Sequence, residues 1–281
     1  MTVVVTAKVN DGIVLAADSA ASFFDAEGHP IKIYNNANKI FNLVKVWPIG
    51  ALVYGSGGIG SASVETLTKD LRKKLSDQAD SEYWLNREAY TVEEVATKAR
   101  MFLYETCYKQ AYPEPLANFV MGYRVCGYSA QSSSSEIWEF MILGGECGPP
   151  YKVQGELDYG LRWAGENEAL DRLVLGTTGK LRDFFIQHGI ANAQAAEALH
   201  LELINQVGLG WIIPAMPIQD AIDVARFAVE TSAKFARYGL RAETIGGPTE
   251  VAAITKHEGF KWVSRKHYYH ADLNRETNHG Q

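Results

Sequence analysis

The sequence predicts an α+β protein in which helices pack on antiparallel sheets, and two observations carry that prediction. Strand-like and helix-like stretches fall in blocks rather than alternating one by one. The first two apolar runs are joined by Asn10-Asp11-Gly12, a tight-turn signal that returns the second run alongside the first.

Taken in order, residues 2–9 are rich in β-branched side chains and residues 12–18 form a second apolar run, so the chain opens on a hairpin. Residues 23–34 read as a loop, with Asp25, Gly28 and Pro30 as breakers. A second strand pair is expected at 39–46 and 50–55 around Trp47-Pro48-Ile49. A glycine turn then opens a helix over 59–77, where Val64, Leu67, Leu71 and Leu75 share one face. Another helix starts at Thr91, whose spacing to Glu94 fits a capping box, and runs through Val95, Ala99 and Phe102.

Strands follow at 118–126, 135–143 and 151–163, with the serine cluster 132–135 in a turn. Helices are expected at 168–188, 193–207 and 218–238, the last closed by Gly239, and a final hairpin at 249–255 and 260–264. With no internal repeat and no linker, residues 1–265 read as a single domain with a helical elaboration around 166–215. Residues 266–281 read as a polar tail carrying His267, His270 and His279, solvated rather than metal-binding.

Composition narrows the function. Across 281 residues, 27 Lys and Arg face 33 Asp and Glu for a net charge of −6, so no overall positive field draws the chain to nucleic acid or an anionic membrane. Cys107, Cys126 and Cys147 have neither the even count of a disulfide framework nor a Cys-x-x-Cys spacing, which suits buried thiols in a reducing compartment. No apolar stretch is long enough to span a bilayer, and the start of the chain does not read as a leader; a cytoplasmic location is expected. No His-Glu-x-x-His or similar ligand set occurs, so neither a catalytic metal nor another cofactor is expected.

The chemistry is expected at Thr2. Aminopeptidases commonly remove an initiator Met before a residue as small as Thr, which would leave the Thr2 amine free. An N-terminal threonine joins a nucleophilic hydroxyl to an α-amine of pKa about 7.7–8.0 that can accept its proton. Such a pair needs a nearby cation and a carboxylate to fix that cation. The first hairpin brings Asp18 towards Thr2, and Lys39 is the candidate cation. Each residue also has a plainer reading, as a turn or cap Asp, a solvated Lys and an unprocessed strand Thr.

Read jointly, Thr2-Val-Val-Val, Asp11-Gly-Ile-Val-Leu-Ala-Ala-Asp18-Ser, Asn38-Lys39-Ile-Phe and Gly55-Ser-Gly-Gly-Ile-Gly60 resemble the signatures of the proteasome β-subunit family, in its order. Within that family they look most like the bacterial proteasome-related peptidases. The resemblance is clear over the first half of the chain and faint afterwards. It implies the four-layer αββα sandwich of N-terminal nucleophile hydrolases and a threonine peptidase. Thr2 would be its nucleophile, Asp18 and Lys39 the supporting charges, and the Gly57 amide the oxyanion donor. It also implies a substrate cleft lined by Ala21, Ser22, Ala37, Gly55 and Ile59, with Ser22 and Gly57 aligning substrate like an added strand and the small residues leaving a wide pocket. Members assemble into rings, often two stacked, that admit unfolded protein or peptide; an ATP-driven unfoldase as feeding partner is left open.

Two family features are replaced here. Ala164-Gly-Glu-Asn167 stands where a supporting serine turn is expected, and Ala242-Glu-Thr-Ile-Gly-Gly247 where an aspartate is expected. A non-catalytic ring scaffold is therefore the alternative function. A third reading takes Gly55–Gly60 as a dinucleotide-binding Gly-x-Gly-x-x-Gly, which requires a βαβ unit and an acidic residue about 20 positions on.

Overall fold

A computed structural model describes residues 2–24, 30–240 and 243–266. Met1, the breakers Asp25 and Gly28, Ala242 and the tail histidines His267, His270 and His279 lie outside the described residues.

The chain opens with β1 (Val3–Val9) and β2 (Gly12–Ala17), then β3 (Ala21–Phe24), β4 (Pro30–Tyr34), β5 (Ile40–Asn42), β6 (Ile49–Gly55), and the short β7 (Gly58–Ile59) and β8 (Ala62–Ser63). Helices α1 (Val64–Ser76), α2 (Val92–Arg100) and α3 (Lys109–Ala111) follow, the last two joined by a π-helical stretch, Met101–Tyr108. Next come β9 (Val120–Tyr128), β10 (Ser135–Leu143), β11 (Glu146–Cys147), β12 (Tyr151–Gln154) and β13 (Gly160–Gly165). Helices α4 (Glu168–Leu170), α5 (Gly179–Gln187), α6 (Ala193–Val207) and α7 (Ile218–Tyr238) precede the closing hairpin of β14 (Glu250–Thr255) and β15 (Gly259–Ser264).

Two antiparallel sheets organise these elements. One has the order β13-β1-β2-β14-β15; the other has β11-β10-β9-β6-β5, with β12 also pairing β10. Both strands of the first hairpin are buried throughout, as Val3-Val-Val-Thr-Ala-Lys-Val and Gly12-Ile-Val-Leu-Ala-Ala suit a strand covered on both faces. Val4, Ile13, Leu15, Ile40, Leu52 and Ile254 meet in a core between the sheets. The opposite face of the first sheet packs on α7 through Val3, Val5, Ala225 and Val229. The opposite face of the second packs on α1 and α2 through Val53, Leu71, Val95 and Tyr123. The fold is thus mixed α+β with antiparallel sheets.

Several expected elements are redrawn. Residues 151–163 are two strands in different sheets, β12 on β10 and β13 on β1, because the amide of Gly155 turns back onto Asp158 Oδ2 at 2.9 Å. The helix expected at 168–188 is interrupted by a π stretch and by Gly176 at φ +72°, and α5 starts afresh with Thr178 as N-cap. The strand expected at 39–46 stops at Asn42, since Leu43 and Val44 turn inward and Val46 takes a positive φ. Residues 21–24 and 30–34 form a hairpin instead of the expected loop. α1 begins at Val64, five residues later than expected, because Gly58–Ser63 form a miniature hairpin and Ser63 caps the helix by accepting from the Thr66 amide.

Thr91 caps α2, but Glu94 pairs with Lys98 rather than completing the box. Cys126 and Cys147 are buried and Cys107 is partly buried, all as free thiols; burial pushes the Cys126 thiol up to about 12. Among the described residues no helix is long and apolar enough to cross a membrane.

Candidate active site around Thr2 and Asp18

The β1–β2 register brings the start of the chain to Asp18. Val4 stands opposite Ala17, so the residue after β2 lies beside the residues before β1. Asp18 is 1% exposed and its carboxylate accepts four donors. Oδ1 takes the Val3 amide at 3.0 Å and Lys39 Nζ at 2.6 Å; Oδ2 takes the amides of Ala20 at 3.0 Å and Gly246 at 3.1 Å. A buried carboxylate with this many donors is held in one orientation.

Lys39 is 4% exposed and precedes β5, where its carbonyl accepts from the Val53 amide at 3.0 Å. Burial pushes its ammonium pKa below the ordinary lysine value; the charge and hydrogen bond of Asp18 oppose that shift.

Thr2 is itself buried, at 5% exposure, and its position is set from the other side by β13. Val3 pairs with Gly165, and the Glu166 amide donates to the Thr2 carbonyl at 2.7 Å. Gly165 sits at φ +95°, and a Cβ there would collide with the Thr2 carbonyl oxygen, so the close approach requires glycine. The two replaced stretches therefore both reach this region: Ala164-Gly-Glu-Asn167 clamps Thr2, and Gly246 holds Asp18.

A second buried ion pair, absent from the expectations, lies alongside. Lys266 Nζ is 2.9 Å from Glu250 Oε2, with side chains 7% and 1% exposed. The same ammonium donates to Ser19 Oγ at 2.9 Å and the Ala37 carbonyl at 2.8 Å, and Ala37 in turn donates its amide to the Ser19 carbonyl. Lys266 thus ties the segment carrying Asp18 to the one carrying Lys39, and it is not the first residue of a solvated tail. Its signal in the sequence was Glu250, a carboxylate opening the otherwise apolar strand β14.

The remaining expected residues lie on other elements. Ala21 opens β3, and Ser22 Oγ donates to the Thr244 carbonyl at 3.3 Å. Gly55 ends β6 at φ +84°, where a Cβ would strike the Val120 carbonyl. Gly57 is exposed, and a Cβ on it would meet open space. Ile59 is instead 3% exposed and packs into the core beneath α1. The Gly55–Gly60 segment belongs to no βαβ unit, because β6 pairs antiparallel with both β5 and β9. Among the described residues no His, Cys, Asp and Glu cluster is placed to hold a metal.

No protein-family model matches the chain, and no curated protein matches it. Solved structures do. "Anbu (ancestral beta-subunit)" from Yersinia bercovieri superposes with a TM-score of 0.53 at 14% identity, covering 94% of this chain and 88% of its own. An Anbu (Gly-1) mutant from Hyphomicrobium sp. strain MC1 gives 0.53 at 14% identity, over 97% and 92%. At that identity the likeness is one of fold. It corrects the resemblance drawn from the motifs: these two structural neighbours are Anbu proteins, a proteasome-like but distinct family.

Proposed function

We propose that this chain is a threonine-type peptidase of the N-terminal nucleophile class, a single domain with the four-layer αββα arrangement, acting as a self-associating oligomer. The observation that carries this reading is the Asp18 carboxylate, which binds both Lys39 Nζ and the amide next to Thr2. Burying such a pair is a poor way to gain stability, so its place beside Thr2 favours a chemical role.

With Met1 removed, the neutral Thr2 amine takes the proton of Oγ1 as Oγ1 bonds to the scissile carbonyl carbon. The carbonyl oxygen becomes an oxyanion, held by the exposed Gly57 amide. On collapse the C–N bond breaks, the Thr2 ammonium gives its proton to the leaving amine, and an ester on Thr2 remains. Water, deprotonated by the same amine, then releases the acyl group. Lys39 favours the anionic hydroxyl electrostatically and Asp18 orients Lys39. Ala21, Ser22, Ala37 and Gly55 form the substrate cleft, with Ile59 as packing beneath it.

Self-association is supported by the apolar side chains left exposed on the helical elaboration and α7, among them Phe184, Leu199, Leu201, Ile213, Phe227 and Phe235. A ring-forming assembly admitting unfolded peptides is proposed.

The test is intact mass before and after a covalent reagent that requires both the hydroxyl and the free amine of an N-terminal threonine. Loss of the Met1 mass and one adduct, absent in Thr2→Ala, is expected. Retained Met1 with no adduct would overturn the peptidase reading and leave the scaffold one.

A further inference from the structure

Away from Thr2, at the C-terminal end of α1, lies a cleft of about 690 Å³ between the 44–47 turn, α1 and the 84–87 loop. Its size falls in the range of small-molecule sites, roughly 300–1,000 Å³. Five cationic side chains line it, Lys45, Lys69, Arg72, Lys73 and Arg87, and no carboxylate does. Lys69 pairs with Glu65 at 2.5 Å, and the other four form no ion pair among the described residues. The guanidinium of Arg72 is half-buried, its Nε has no hydrogen-bond partner among the described residues, and burial lowers its pKa. Trp84 lines the same cleft.

Lysines in the last turn of a helix complement its dipole, which accounts for Lys73 and for Lys74, the latter already paired with Asp80. It does not account for Lys45 and Arg87, which arrive from two other segments, nor for the unpartnered Nε. On a chain of net charge −6, this convergence is opposite in sign to the molecule as a whole.

We propose that the cleft binds a multiply charged phosphate ligand, with Arg72, Lys45, Lys73 and Arg87 on the phosphate oxygens. Guanidinium groups match phosphate geometry with paired N–H donors, and the lysines add point charge. Two sources share that chemistry, a nucleotide and an inorganic polyphosphate. Trp84 distinguishes them, since a base can stack on its ring.

The experiment is titration of the full-length protein with magnesium-free ATP and, separately, with inorganic tripolyphosphate, followed by calorimetry and tryptophan fluorescence. Binding of either probe that weakens at least tenfold in Lys45→Glu/Arg87→Glu, and within twofold of wild type in the remote Lys261→Glu, is expected. All three substituted residues are exposed, and unchanged thermal unfolding would exclude misfolding. Tighter ATP binding that weakens in Trp84→Leu identifies a nucleotide, and equal binding of the two probes identifies polyphosphate. No binding of either at millimolar concentration, or affinity unchanged in the double variant, overturns the proposal.

Discussion

Two buried charge clusters in this molecule use the same chemical groups in opposite ways. Between the sheets, Arg124 Nε donates to Glu139 Oε2 at 2.7 Å and its Nη1 to Thr6 Oγ1 at 3.2 Å; Tyr151 donates to the other Glu139 oxygen at 2.5 Å. These three contacts all join side chains, drawn from four strands. At the end of the first hairpin, Asp18 instead takes three of its four donors from backbone amides, and Lys39 is the single side-chain partner. The first arrangement joins the sheets and depends on all its members. In the second, three backbone amides hold the carboxylate besides Lys39.

The contrast predicts opposite outcomes for similar substitutions. Lys39→Met should lower the rate of covalent labelling at Thr2 by about 10²–10³-fold, the usual weight of one preorganised electrostatic donor, with a smaller loss of stability than the next variant shows. Equal labelling rates would remove Lys39 from the chemistry. Arg124→Met should cost about 3–5 kcal/mol in denaturant unfolding, because it strands a buried carboxylate, while Thr2 still labels at temperatures where the protein is folded. If its midpoint did not move, the cluster between the sheets would not be the structural one.

Lys266→Met sharpens the comparison, since it strands Glu250 and also frees the 37–39 segment. A loss of about 3 kcal/mol is expected, partly recovered by Glu250→Gln, with labelling slowed because Lys39 is less well placed. Stability lost without any change in labelling would make Lys266 merely structural.

The pH dependence follows from the lowered Lys39 pKa. Below it, Lys39 is protonated in both folded and unfolded chains and folding bears the full cost of burying the charge. As pH rises from that lowered value towards the 10.5 of the unfolded lysine, the unfolded chain binds more protons, so this contribution to stability becomes more favourable. Over the same window Thr2 labelling should decline as the Lys39 charge is lost, an alkaline limb that Lys39→Met would lack.

Local signals made much of this legible. The Asn10-Asp11-Gly12 turn between two β-branched runs determined the first hairpin, and with it the approach of Asp18 to the start of the chain. The bounds of β10, α6 and α7 were readable to the residue, because local signals mark them: the serine cluster before β10, Asn192 capping α6, and Pro217 and Gly239 on either side of α7. The motif residues Thr2, Asp18 and Lys39 stood out for their chemistry.

Other features depended on residues distant in sequence. Residues 151–163 look like one strand, and only β10 and β1 on either side divide them between two sheets. Lys266 reads as the start of a polar tail until Glu250, Ser19 and Ala37 surround it. The cationic cleft gathers Lys45, Arg72 and Arg87 from three segments, none unusual alone. The sequence by itself determined the elements whose turns and caps are local, and the charges worth burying. The tertiary structure decided which segments those charges join, because an ion pair or a cleft is a property of side chains brought together from afar, and periodicity along the chain carries no record of that meeting.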